Sequence, residues 1–300
     1  MEREENPMRY ALRLFFAVCA LAVMLAVQMG AAYAADGWYW LSSDDKYSKF
    51  YDPSSVVVTH TASTSRGKIA TEIAAWTKTS YSYEGAKETI DAYGLKAVIL
   101  DPSQFAYSLA EIVINPQNRT LQYAKEEFCD ASGKVLWSHA DGRAKEITSQ
   151  EFDEGFYDAV VDQVFAIGEA KRAKADDRWI TLWDSVAPDG TRMHVTGDTT
   201  TMRMKGENLI FWKWAETKDS AGHVMEIQFQ KAAVNLPQGT ERIIKGTRWT
   251  PASGWKDLDD DMDGAYRMIP PTSVAYKGIE KLRAYAAGYS MWLNRYSIED

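Results

Sequence analysis

The run DLDDDMDGAYRMIPPTS at residues 257–273 places Asp259, Asp261, Asp263 and Gly264 in the spacing D-x-D-x-D-G. Alternating carboxylates ahead of a glycine turn are how an oxygen-rich calcium loop begins. Such a loop needs a bidentate acid at its twelfth position, and counted from Asp259 that position is Pro270, which has no side-chain ligand. The segment before it reads as a strand, where a calcium loop of this type has a helix. The sequence therefore reads here as an Asp-Gly turn with a solvated acidic face, and no metal is expected. Asp259, Asp261 and Asp263 are the ligands a cation would use if one bound. The other residues able to do chemistry are scattered. His60, His139, His194 and His223 are isolated, and no H-x-x-x-H or H-x-E spacing joins them. No nucleophile elbow, P-loop or dinucleotide fingerprint is present. The acid pairs Glu126-Glu127 and Asp153-Glu154 fall on solvent faces by pattern. These observations point away from an enzyme and from a bound cofactor.

Aromatic side chains are the other marked feature. The chain has 11 tryptophans, several in close pairs: Trp38/Trp40, Trp179/Trp183 and Trp212/Trp214. Residues two apart in a strand share a face, so Trp38 with Trp40, and Trp212 with Trp214, are candidate binding pairs. The competing reading is core packing between sheet and helix, because aromatic rings dominate buried area in small β-domains. A binding role requires a pair on the face the helix leaves open.

The bulk properties limit the classes of partner. A net charge of −8 over 300 residues argues against nucleic acid, which needs a basic surface. At the N-terminus Arg9 and Arg13 precede LFFAVCALAVMLAVQMGAA, followed by Ala32-Tyr33-Ala34. This predicts a secretory signal peptide over residues 1–34 with cleavage near Ala34, an uncleaved anchor being the alternative. Membrane contact is expected through this segment alone. Cys19 lies inside the apolar run, preceded by Val18, which does not suit lipidation. Cys129 is then the one cysteine of the exported chain and is expected to be buried in a strand.

The elements that would position these residues come in two copies. PQNRTLQYAKEEFCDASG at 116–133 aligns without a gap with PQGTERIIKGTRWTPASG at 237–254. Asp141-Gly142 meets Asp263-Gly264, Ile147 meets Ile269, and WTKT at Trp76 resembles WAET at Trp214. The first copy carries an insertion containing SYEGAKETIDAYG, which reads as a short exposed helix. The charged stretch EAKRAKADDR at 169–178 separates the copies, giving a first repeat over 35–172 and a second over 173–300. Within each, runs rich in β-branched and aromatic residues are broken by Asp-Pro, Asn-Pro and Ser-Gly turns, which predicts an antiparallel meander. The period then changes. Phe152, Phe156, Val160, Val164 and Ile167 recur every three or four residues behind Thr148 or Ser149. Val274, Ile279, Leu282 and Tyr285 do so behind Thr272 or Ser273. Each predicts a capped amphipathic helix. The expected fold is α+β: two tandem domains, each an antiparallel sheet of about six strands with a C-terminal helix packed on one face.

This plan resembles the bacterial surface-adhesin E family and related exported proteins. The resemblance rests on the opening Trp38, Tyr51-Asp52-Pro53-Ser54-Ser55-Val56, and the strand with internal Trp76. It continues in the hairpin closing on Asp130-x-x-Gly133 and the helix behind Ile147-Thr148-Ser149 or Ile269-Pro270-Pro271. It covers nearly the whole exported chain, and departs from the family in lacking a cysteine pair and in being tandem. The resemblance implies an exported protein with a six-stranded antiparallel sheet and a C-terminal helix. It also implies binding to a macromolecule, as the best-known member binds extracellular-matrix and serum proteins. The expected function is a non-enzymatic envelope or cell-surface protein, periplasmic or surface-exposed, binding a host or extracellular protein or glycan. The alternative is a periplasmic accessory or small-ligand-binding protein, with the ligand held between sheet and helix or between domains.

Overall fold

The computed structural model describes residues 37–149, 151–167, 178–258 and 263–299. The expected signal peptide and most of the charged stretch at 169–178 lie outside them. Among the described residues no helix is long and apolar enough to cross a membrane.

Two antiparallel sheets of eight strands follow one another along the chain. The first comprises β1 (Tyr39–Ser43), β2 (Tyr47–Tyr51), β3 (Val57–Thr64), β4 (Gly67–Tyr81), β5 (Tyr107–Asn115), β6 (Thr120–Cys129), β7 (Val135–His139) and β8 (Lys145–Glu146). The second comprises β9 (Trp179–Val186), β10 (Arg192–Asp198), β11 (Arg203–Lys205), β12 (Asn208–Lys218), β13 (Val224–Asn235), β14 (Thr240–Thr250), β15 (Gly254–Asp257) and β16 (Arg267–Met268). Six strands form the main path in each, in the orders β1-β2-β4-β5-β6-β7 and β9-β10-β12-β13-β14-β15. The remaining strands repeat as well: β3 pairs with β4 as β11 does with β12, and β8 with β6 as β16 does with β14. The duplication read from short matched motifs is thus a duplication of topology. Compact packing does not follow the repeat boundary. One unit takes the described chain to Val57 with Ala74–Val113 and Gln122–Arg143. The other takes Val58–Ile73, Ile114–Leu121 and everything from Ala144.

The helices differ from expectation in detail. α2 (Glu154–Phe165) starts later than its predicted cap, because Thr148 bonds to Glu151 instead, and Phe152 and Ile167 fall outside it. α3 (Tyr276–Gly288) likewise starts past Ser273, whose hydroxyl donates to the Pro270 carbonyl at 2.7 Å, and Val274 is exposed before it. A four-residue helix, α4 (Ser290–Leu293), follows. In the second repeat Ile279 and Leu282 of α3 pack against Leu182, Val195 and Phe211 of the sheet. The inserted helix, α1 (Tyr83–Ala92), is not simply exposed. Ser82 caps it, and Ala86 and Ile90 join Leu95, Ile99, Phe105 and Phe128 in a buried cluster. Gly85 is required there, since a Cβ would stand 2.4 Å from the Lys46 carbonyl oxygen.

A chain of charges is buried within the second unit. Arg119 donates to the Ile147 carbonyl at 2.9 Å and to Glu154 at 2.5 Å. Arg178 donates to both oxygens of Glu154, at 2.9 and 3.0 Å, and to Asp198 at 3.0 Å. Asp198 has no exposure, and Asp153 and Glu154 are buried as well, which corrects their assignment to a solvent face. The pattern that suggested exposure is overridden by partners: guanidinium groups distant in sequence for Glu154, and the Lys145 ammonium for Asp153.

Removing Arg178 strands Asp198 in the interior and leaves Glu154 with Arg119 alone. Arg178→Ala is expected to lower stability by about 3–5 kcal/mol, read as a shift in the denaturant midpoint. The turn aspartates make a separate prediction about pH. The Ser132 hydroxyl, with the Lys134 N–H, holds Asp130 below its ordinary value, and the Ala265 N–H, then Arg267, does the same for Asp263. A carboxyl whose pKa is lower folded than unfolded stabilises the fold above the unfolded value, 3.8, and that contribution disappears as pH falls through the folded one. The denaturant midpoint should hold between pH 6 and 5 and fall below about 4, less steeply in D130A/D263A.

Candidate functional site

The second sheet offers two chemically distinct faces. Phe211, Lys213 and Ala215 of β12 line a cavity beneath α3 together with Ile279 and Leu282. Trp212 and Trp214 alternate with those residues and lie on the opposite face, the one α3 leaves open. Register extends this face across the sheet. Trp214 stands opposite Phe229 on β13, and Phe229 opposite Thr247 on β14, with Asp257 of β15 beyond. The next row runs Asp184, His194, Glu216, Ile227, Trp249 and Trp255.

The rings meet in space. Trp212 stacks on Phe229 at 4.5 Å between centroids, Trp214 is tilted against Phe229 at 6.1 Å, and Trp214 meets Trp255 edge-on at 6.2 Å. The two ends of this cluster differ. Trp212 is 5% exposed. Lys245 lies over its ring at 5.4 Å and pairs with Glu146, which also accepts from Lys231. Burial works to raise the Glu146 pKa, but the two ammonium groups hold it below its ordinary value. At the other end Trp255 is 51% exposed, and Trp214, Phe229 and Trp249 are half-buried. Carboxylates border the open rings: Glu216, paired with Lys218 at 2.5 Å, and Asp184, beside His194 at 2.5 Å. The platform is therefore aromatic at its centre and acidic at its rim.

The cavity under α3 has a volume of about 140 Å³ and an amphipathic lining. Its apolar end is Leu182, Val195, Phe211, Ile279 and Leu282. Its polar end is a hydrogen-bonded array: Lys213 pairs with Glu241 at 2.8 Å, Gln230 donates to Gln228 at 2.9 Å, and Gln228 donates to Glu226 at 2.5 Å. A second cavity of about 310 Å³ shares Gln230, Glu241 and Ile269 with it. In the first repeat the topology places Ala75, Ser108 and Ala110 at the corresponding positions, all buried. There the inserted Phe105 packs on Tyr81 at 4.3 Å, and the Tyr81 hydroxyl bonds Ser108 at 3.0 Å. Small residues and inserted rings fill in one repeat what polar side chains line in the other.

The remaining sequence candidates are dispersed. Trp38 precedes β1 and lies 5.9 Å from the Lys78 ammonium, while Trp40 is 56% exposed on an edge strand, bonded to Ser43 at 2.9 Å. Asp259 and Asp261 lie outside the described residues. Asp263 accepts from the Ala265 N–H at 3.0 Å and pairs with Arg267 at 2.9 Å. Asp141 accepts from the Arg143 N–H at 3.0 Å in the same way. No group of three or more metal-ligating side chains occurs among the described residues. Cys129 is buried, and burial pushes its thiol up.

Two features escape sequence reasoning. Glu126 is buried, not solvent-facing, and accepts from the Tyr93 hydroxyl at 3.0 Å. Each histidine also stands beside a carboxylate: His60 by Glu72, His139 by Glu126, His194 by Asp184 and His223 by Asp219. Three of these pairs join different strands, which spacing along the chain cannot reveal. No family model and no curated relative matches the sequence.

The two ends of the aromatic cluster should respond differently to truncation. Trp212→Ala is expected to cost about 3–5 kcal/mol in denaturant unfolding. Trp255→Ala should cost less than about 1 kcal/mol, as a ring held for a partner and not for the core would.

Proposed function

We infer that this chain is an exported, non-enzymatic binding protein of the envelope or cell surface. Its contact surface in this reading is the aromatic face of the second sheet, and its partner an extracellular glycan. The observation that carries the reading is the convergence of Trp214, Phe229 and Trp255 on the sheet face opposite α3, rimmed by Glu216, Asp184 and Asp257. Indole faces present flat apolar area to the C–H face of a sugar ring, while carboxylates and threonine hydroxyls take up its hydroxyl groups. An exposed aromatic set backed by a rigid sheet also matches how binding energy concentrates in a few large rings. The adhesin-like class agrees with the resemblance noted above, and export with the basic and apolar N-terminal pattern.

Titration of tryptophan fluorescence with soluble polysaccharides and host-type glycans tests the contact surface. Saturable quenching that weakens at least about tenfold in W214A/W255A, with unchanged circular dichroism, is the expected result. Equal affinity in the double variant would remove this face from the function, and saturation by a protein ligand alone would replace the glycan as partner. Protease treatment of intact cells tests location: cleavage while a periplasmic control survives is expected for a surface protein.

A second reading is a small-ligand carrier. It is favoured by the amphipathic cavity beneath α3, where Lys213, Gln228, Gln230 and Glu241 occupy the helix-facing side of a sheet that ordinarily holds apolar residues.

A further inference from the structure

The polar side of the cavity beneath α3 is a ladder with one direction. Glu226, Gln228 and Gln230 occupy alternate positions of β13 and so share its helix-facing side. An ionised carboxylate only accepts, and Glu226 takes the Gln228 amide N–H at 2.5 Å. That turns the Gln228 oxygen toward Gln230, whose own amide donates to it at 2.9 Å. The far end of the ladder is therefore an acceptor, the Gln230 oxygen Oε1. Gln230 is 9% exposed and lines the cavity. Its Oε1 accepts from no group among the described residues, yet it is not sealed from solvent as Gln117 Oε1 and Trp212 Nε1 are.

An unspent donor stands across from it. Lys213 of β12 is directly opposite Gln230 in the sheet register, with its side chain 12% exposed. One of its three N–H bonds goes to Glu241 at 2.8 Å, and the others have no partner among the described residues. The charges around the ladder are already matched. Glu241 holds Lys213, and Glu226 lies 4.0 Å from Arg248. An ionised ligand would find no unpaired counter-charge here, and would give up its hydration to enter. A neutral group that both accepts and donates meets Lys213 and Gln230 together. Away from the ladder the lining is Leu182, Val195, Phe211, Ile279 and Leu282, which suits a hydrocarbon.

We propose that this cavity binds a small uncharged amphiphile, a short hydrocarbon ending in a hydroxyl or primary carboxamide. The head group accepts from Lys213 Nζ and donates to Gln230 Oε1. The tail lies against the apolar residues beneath α3. The volume of about 140 Å³ sets the size, since a cavity of about 150 Å³ takes benzene. A head group with a tail of about five carbons fills that space. The proposal rests on the small-ligand reading given above, for which it supplies the ligand class, and it does not depend on the aromatic face.

Probes of nearly equal size separate the parts of this recognition: 1-pentanol, butyl methyl ether, pentanoate and pentylammonium. Each is titrated into the exported chain while the methyl resonances of Ile279 and Leu282 are followed by NMR. Pentanol should shift both residues saturably. The ether accepts but cannot donate, and should bind about tenfold more weakly. Pentanoate and pentylammonium, which must bring a charge under the helix, should bind more weakly still. Q230M removes the acceptor, and should bring pentanol down to the affinity of the ether while leaving the ether unchanged. Equal affinity for pentanol and the ether, a charged probe that binds as tightly as pentanol, or an undiminished preference for pentanol in Q230M would each overturn the proposal and leave the carrier reading standing. No saturable response to any probe would overturn both. The comparison of probes on the wild-type chain decides the matter if Q230M does not fold.

Discussion

Arg178 is the contact on which the compact second unit depends most. Its guanidinium holds Glu154 of α2 with one set of donors and Asp198, at the end of β10, with another. Arg119 completes the chain from the far side of Glu154. Two carboxylates and two guanidiniums are thereby removed from water together. Such an arrangement adds little net stability over apolar packing, but it fails badly when one member is lost. It therefore specifies one arrangement more than it strengthens it. The residues come from α2, the turn before β6, the start of β9 and the end of β10, so the network sets the placement of segments from both repeats at once.

Two repeats with one topology differ in chemistry. The first repeat buries Ala75, Ser108 and Ala110 in its sheet and adds rings supplied by its insertion. The second places Lys213, Gln228, Gln230 and Glu241 on the corresponding surface and leaves a cavity. On its other face it gathers Trp214, Phe229, Trp249 and Trp255. The second repeat still buries a hydrophobic core of its own, and the polar groups beside it satisfy one another as the glutamine array does.

Some buried polar atoms, such as Gln117 Oε1 and Trp212 Nε1, have no hydrogen-bond partner among the described residues. The aromatic face shows the apolar counterpart, rings left half-buried where a second layer would cover them.

Sequence alone determined the elements and their order. Alternating apolar residues, the Asp-Pro and Asp-Gly turns, and the shift to helical period predicted antiparallel sheets each followed by a helix, and the matched motifs predicted two copies. These signals are local, set by side-chain direction within a few residues. The Trp212/Trp214 pair was legible for the same reason, as was the turn role of Asp263. What only the tertiary structure decided is which face of the sheet the helix covers, and that of the two indoles on the other face Trp212 is buried, with Lys245 over its ring, while Trp214 is half-buried. It also decided that Glu126, Asp153 and Glu154 are interior, and that each histidine has a carboxylate beside it. A charge looks solvated in sequence unless its partner is near in the chain. Arg119 and Glu154, or Lys231 and Glu146, are brought together by folding alone, and no period or spacing encodes that encounter.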